Sequence, residues 1–287
     1  MDSDNVWLER RVLNYAHQGG AAEAPSSTLV ALRRAVSVGA HALELDVHAT
    51  SDGHLVVCHD ETVDATTDGT GAIAGMTLAE VRRLDNGYRF TTDDGATYPF
   101  RGQGLPVATL REVLEEFPDV FLNLDIKQTA PAVEPYEAPL AALLQEFGRR
   151  DDVIVASFLD AATDAFSAIA PEIHTSAGTL ATTAFWQAVQ EGGDPPVAAT
   201  RHVALQVPPT AAGLTVVDER FVSRAHEVGL AVHVWTIDEA GQMGELIDLG
   251  VDGVMTDRPS VLAEVLGRYG RNWMGRGTSR AGRETTR

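Results

Sequence analysis

The chain has 287 residues, 44% hydrophobic and 22% charged, a globular composition that argues against disorder and membrane residence. Its formal net charge of −19 excludes nucleic acid as the expected partner, because a phosphate backbone needs a basic surface. No apolar run approaches the roughly 20 residues of a membrane-spanning helix. The opening MDSDNVWLERR has no signal-peptide stretch, so a cytoplasmic location is expected.

Strand 12–16 (VLNYA) runs into His17. A helix over 26–38 follows, with Ser26 or Ser27 as its cap and Gly39 as its stop. Strands 42–47 (ALELDV) and 54–58 (HLVVC) are separated by Asp52-Gly53. That dipeptide is a turn signal and leaves no room for a helix, so the two strands pair as a hairpin-like irregularity. Cys58, the only cysteine, excludes an intrachain disulfide and a cysteine-based zinc site; inside LVVCHD it reads as a small core residue. Residues 60–108 are rich in Thr, Asp and Gly, with one short helix at 77–84. They read as an insertion on one face of the domain.

Helix 109–117, strand 120–126 (VFLNLDI), helix 137–149 and strand 152–157 (DVIVAS) come next. Asp160 caps helix 160–169; then follow strand 173–177, helix 182–191 and strand 202–207. Asp218 caps helix 218–228, which Gly229 stops before strand 230–236. Helix 239–249 ends at Gly250, and strand 252–256 closes the series. Alternating β and α segments are the sign of a parallel sheet. About eight repeats favour a closed TIM (β/α)8 barrel, with nine strand candidates for eight places. The domain is set at 10–267. Residues 268–287, arginine-rich and without apolar periodicity, are read as a disordered tail.

Side chains alternate between the faces of a strand, so Glu44 and Asp46 point one way, and Asp125 and Lys127 form a second such pair. His17 and His59 fall at or just after strand ends. All five carboxylate and imidazole groups therefore meet at the carboxyl ends of strands, where TIM barrels build active sites. Two neighbouring carboxylates repel unless a cation or a shared proton offsets them. Glu44, Asp46 and Asp125 make an all-oxygen set for one hard divalent cation, magnesium or calcium. The competing reading is a salt-bridged lining around Lys127. The two histidines suit proton transfer near neutrality, with zinc ligation as the rival use. His41, His48 and His54 read as surface or strand-edge residues and His233 as core. His174, His202 and His226 carry no signal.

The segments AHQGG (16–20), ELDVHATSDGHLVVCHDETVDATTDGTG (44–71), LDIK (124–127), SF (157–158), VWTID (234–238) and GVDGVMTDRP (250–259) resemble, in order and spacing, the glycerophosphodiester phosphodiesterase family. The resemblance implies a TIM barrel of the phospholipase-C-like phosphodiesterase type with a small insertion. It implies that His17 and His59 are the acid/base pair and that Glu44, Asp46 and Asp125 hold the metal. Gln18, Lys127 and Trp235 become the substrate-binding candidates. The chain departs from the pattern at Gln18 and Ala65, where the family has arginines, and at Asp125, where it has the longer glutamate. Pro25-Ser26-Ser27-Thr28 replaces P-E-N-T, and Glu23 is a candidate to supply the acid missing at Ser26. Glutamine does not replace arginine's charged, bidentate grip on phosphate.

The expected reaction is hydrolysis of a glycerophosphodiester to glycerol 3-phosphate and an alcohol. The alternatives are action on lysophospholipids, with 60–108 and 178–200 accommodating an acyl chain, and a non-catalytic homologue.

Overall fold

The computed structural model describes residues 5–8 and 12–270. After a 3-10 turn at Val6–Leu8, the elements are β1 (Leu13–His17), α1 (Leu29–Ser37), β2 (Ala42–Ala49), β3 (Leu55–Val57), α2 (Leu78–Val81), α3 (Leu110–Glu116), β4 (Phe121–Ile126) and α4 (Glu137–Glu146). Next come β5 (Val153–Ala156), α5 (Asp160–Ile169), β6 (His174–Thr175), α6 (Thr179–Glu191), α7 (Val197–Thr200) and β7 (Ala204–Val207). The chain continues through β8 (Thr210–Ala211), β9 (Leu214–Thr215), α8 (Glu219–Glu227), β10 (Ala231–Val234), α9 (Ala240–Leu249), β11 (Gly253–Thr256) and α10 (Pro259–Arg268).

Eight parallel strands lie in the order β6-β5-β4-β2-β1-β11-β10-β7. The two ends of that order meet through Val203 N–H to Thr175 O and Ala177 N–H to Ala204 O, both 3.0 Å. The result is a nearly closed TIM barrel. β3 is the ninth strand and pairs antiparallel with β2, which is the expected hairpin.

Alternation along the strands sorts two cores. Outward residues such as Leu43, Leu45, Leu122 and Leu124 pack under the helices of the first half, and Val232, Val234 and Phe221 belong to the second-half equivalent. Inward residues fill the barrel: Leu13, Tyr15, Phe121 and Ile154, stoppered by Trp7. Gly253 sits where a Cβ would lie 2.6 Å from the Tyr15 ring and 2.9 Å from the His233 ring. The absence of a side chain there lets those rings fill the centre.

Several local expectations change. Thr28, not Ser26 or Ser27, caps α1, accepting from Ala31 N–H at 3.2 Å. Asp160 is the first residue of α5 and does not cap it. Its carboxylate instead accepts from Leu180 and Ala181 N–H at 2.8 and 2.9 Å and so caps α6. Asp218 caps α8 as expected, accepting from Phe221 N–H. α2 is shorter than 77–84. The β8–β9 hairpin has no counterpart among the expected elements, because its turn places Ala212 and Gly213 at φ 49° and 78° without an Asn-Gly or Asp-Gly signal. α10 is a further addition; it starts at Pro259, whose fixed φ suits a first helical turn.

Residues between β3 and α3 form a small core of Val63, Ile73, Val81 and Val107 against Val56 and Cys58. Burial pushes the Cys58 thiol up to about 12, in keeping with a core role. No helix among the described residues is long and apolar enough to cross a membrane. Of the expected tail, 268–287, Arg268 belongs to α10, and the part from residue 271 onward lies outside the described residues.

Candidate active site

Register assembles the mouth. His17 on β1 pairs with Glu44 on β2. Asp46 on β2 pairs with Asp125 on β4. His17 is the last residue of β1 and Asp125 the last but one of β4; register sets Glu44 and Asp46 level with them, although β2 itself runs on to Ala49. Cys58 N–H bonds to Asp46 O at 3.0 Å and turns the chain off β3, which brings His59 over the same opening. The His17 and His59 rings meet edge to face, 6.4 Å between centroids.

Directly after β1, Gln18, Gly19 and Gly20 all have positive φ, at 52°, 83° and 89°. A Cβ on Gly19 would strike Leu32 at 2.7 Å and one on Gly20 would strike Pro259 at 2.8 Å. This tight loop explains the two glycines of AHQGG. It also drops Gln18 N–H onto Glu44, at 3.0 Å from the carbonyl and 3.2 Å from Oε2.

A cavity of about 570 Å³ opens over this floor, lined among others by His17, Glu44, Asp46, His59, Asp125, Lys127 and Trp235. Seven of the eight residues singled out from the sequence therefore share one cavity. Gln18 does not line it; its side chain is buried, with Nε2 3.3 Å from His17 Nε2. Ala65 is exposed and also lies outside the lining. Lys127 is the only lysine or arginine of the lining. Glu23 does not reach the cavity. It accepts hydrogen bonds from Ser260 and faces Arg34 at 3.4 Å, tying the β1–α1 loop to α10.

The floor carries more negative charge than its one lysine offsets. Burial first, then the Asp46 charge, raises Glu44 to about 8. The same two causes raise Asp125 to about 7. Lys127 Nζ stands 3.2 Å from Asp46 Oδ1 and 3.5 Å from Asp125 Oδ2. Burial alone would lower its pKa, but these carboxylates raise it.

Burial would likewise lower His17, yet the Asp257 hydrogen bond and the Glu44, Asp257 and Asp46 charges overcome this and raise it to about 9. Asp257 Oδ1 lies 2.7 Å from His17 Nδ1, which leaves Nε2 toward Glu44 Oε2 at 3.9 Å. Asp257 is itself held through its N–H, 2.8 Å from Asp238 Oδ1, which also accepts from the Thr256 hydroxyl. His59 Nδ1 lies 2.7 Å from Asp60 Oδ1.

Asp257 is a site residue that the sequence reasoning misses, although it follows strand 252–256 as His17 follows 12–16. His48 is corrected outright. It is 1% exposed, on the inward face of β2, 3.2 Å from Gln128 Oε1. β2 runs to Ala49, two residues beyond the expected end, so His48 continues the face of Glu44 and Asp46.

The donors suit a hard divalent cation in kind. Glu44, Asp46 and Asp125 are all oxygen ligands, and Asp46 Oδ2 and Asp125 Oδ1 are buried without a hydrogen-bond partner. Such orphaned oxygens are costly unless a cation or donor satisfies them. As arranged, no three His, Cys, Asp or Glu groups among the described residues gather tightly enough to hold a metal. The Lys127 ammonium stands near Asp46 and Asp125 instead.

Fold and mouth together define a TIM-barrel enzyme. Over residues 17–261 the chain matches, and belongs to, the glycerophosphoryl diester phosphodiesterase family. It is 33% identical over 263 residues to the glycerophosphodiester phosphodiesterase of Caldanaerobacter subterraneus subsp. tengcongensis, covering 91% of this chain and 100% of the relative. The Bacillus subtilis enzyme of the same name is 30% identical, with 92% and 90% covered. Among solved structures, glycerophosphodiester phosphodiesterase from Agrobacterium tumefaciens superposes with a TM-score of 0.71 at 26% identity, covering 88% of this chain and 99% of that one. An Oleispira antarctica phosphodiesterase, solved with the product sn-glycerol-3-phosphate, gives 0.68 at 26% identity, covering 88% and 96%.

Proposed function

We propose that this chain hydrolyses glycerophosphodiesters to glycerol 3-phosphate and an alcohol, with His17 and His59 as its acid/base pair. The observation that carries this reading is the facing pair of imidazoles, 6.4 Å apart, above a floor of Glu44, Asp46, Asp125 and Lys127. A phosphorus held between them has one imidazole for the attacking oxygen and one for the leaving oxygen. Asp257 fixes which His17 nitrogen does this work by holding Nδ1. Lys127 faces the phosphate charge. Trp235 lines the side where a substituent lies.

Glu44, Asp46 and Asp125 would hold the divalent cation, magnesium or calcium. When bound, that cation supplies charge neutralisation and a lowered pKa for the attacking hydroxyl or water. Lys127 would then turn its charge from the carboxylates to the phosphate. The net charge of −19 makes such local cations necessary for capturing an anionic substrate.

The test is release of glycerol 3-phosphate from a panel of glycerophosphodiesters with magnesium, calcium or chelator. Turnover with metal and loss with chelator are expected. Full activity in chelator would remove the cation from the reading. No turnover of any diester with either metal would remove the hydrolysis.

A further inference from the structure

The cavity does not end at the polar floor. Phe158 and Trp235 adjoin the floor, their rings edge to face at 5.5 Å, with Lys127 Nζ 5.9 Å from the Phe158 centroid. On the far side an arm continues between α6 and the β8–β9 hairpin, lined by Trp186, Pro208, Leu214 and Val216. The Trp186 indole N–H donates to Thr215 O at 3.2 Å. That bond fastens the hairpin to α6 and leaves the indole as wall.

The lip of the arm is apolar too. Phe158 and Leu214, both in the lining, are each 54% exposed. Exposed apolar groups gathered at one opening mark a site for an apolar ligand. The carboxylates in the lining are those of the floor: Glu44, Asp46 and Asp125. The arm thus offers no counter-charge to a cationic headgroup such as choline. Residues 60–108, read from the sequence as a second accommodating segment, contribute nothing to the lining of the arm.

We infer that this arm receives a single hydrocarbon chain carried by the phosphodiester, so that the preferred substrate is a lysophospholipid over a small water-soluble glycerophosphodiester. The inference rests on the hydrolytic reading above and names the substrate class of the same site. Leu214, Val216 and Trp186 become its chain-length determinants.

The experiment is steady-state kinetics on acylglycerophosphocholines whose chain lengthens from acetyl to myristoyl, below the critical micelle concentration. Each methylene that enters the arm should raise kcat/KM about fourfold at most, and the series should level off when the arm is full. Leu214→Asp and Val216→Asp should lower kcat/KM on the longest chains by about tenfold or more, while glycerophosphocholine is turned over as by the unaltered chain. Circular dichroism checks their fold, and Leu214→Ala gives a milder variant of the same sign. In parallel, calorimetry follows binding of a non-hydrolysable long-chain alkyl phosphonate diester, which should be saturable and lost in Val216→Asp.

A flat chain-length series with sound turnover of glycerophosphocholine overturns the inference alone. So does a series equally steep in the variants, or a preference for choline over ethanolamine that ignores chain length. Chain binding without turnover of any diester would sink the hydrolytic reading and support the arm as a chain site.

Discussion

Two imidazoles on the inner surface of the barrel have opposite fates. His17 stands at the mouth, against Asp257 at 2.7 Å and the Glu44 carboxylate, and is raised to about 9. His233 lies on β10, deeper in the barrel. It is fully buried against Tyr15, whose hydroxyl is 3.3 Å from Nδ1, and burial alone lowers it to about 3. Both suffer desolvation, and only the one with carboxylate neighbours overcomes it. Residue type is therefore a weak guide, and the company set by strand register is a strong one. The mouth concentrates charge at some expense to the fold, while the interior excludes it.

The most severe way to break the mouth is to remove its proton carriers. His17→Ala and His59→Ala should each lower kcat on a glycerophosphodiester by roughly 10²–10⁴-fold, with thermal stability nearly unchanged for the half-exposed His59. Near-normal turnover in both variants would end the acid/base assignment. A smaller loss is expected from the residue behind His17. Asp257→Asn should lower kcat by roughly 10–100-fold, the scale typical of groups that orient a working histidine. KM should change little. Adding Asp257→Asn to His17→Ala should cost nothing further, since the two act as one unit. An additive double variant would make Asp257 a separate structural prop.

How much of this is legible in the sequence follows the same division. The period-2 rule alone puts Glu44, Asp46 and Asp125 on one face, because apolar neighbours at 43, 45, 122 and 124 force that face. Applied two residues further along β2, it brings in His48; applied after β11, Asp257. His48 is lost because the end of β2 is drawn two residues too early; β11 ends at Thr256 as expected, and Asp257 is lost because the rule is not carried past that end. Of the apolar arm only the segment 178–200 is legible, which holds α6 and Trp186; the arm's shape is not. Its walls come from two-residue strands turned by Ala212-Gly213 and from a helix whose start is capped by Asp160, twenty residues upstream. Contacts of that kind leave no local pattern. The family resemblance supplies roles for the mouth and is silent on the arm.

The mouth's expense is measurable in metal-free protein. Asp125, at about 7 when folded, titrates near 3.9 when unfolded. Its raised value means stability is fully present below pH 3.9 and is lost as pH rises through 7. Asp125→Asn should therefore stabilise the chelated protein at pH 8 by about 1–3 kcal/mol in urea denaturation, while abolishing turnover. Destabilisation at that pH would mean that Lys127 already holds the carboxylate at a net gain.

His233 has the opposite sign. Its unfolded value is about 6.5 and its folded value about 3, so the unfolded chain binds the extra proton between those limits. Stability is full above pH 6.5 and falls as pH drops toward 3. His233→Asn removes the titrating ring and also some packing, but the packing loss is the same at both pH values and cancels from the difference. Between pH 7 and pH 5 the unaltered chain should lose about 1 kcal/mol more than the variant, after discounting for relaxation of the site. Equal losses would mean that His233 takes up its proton inside the folded barrel. The Tyr15 hydroxyl, 3.3 Å from Nδ1, would then accept from the imidazolium, and the contrast with His17 would be one of degree.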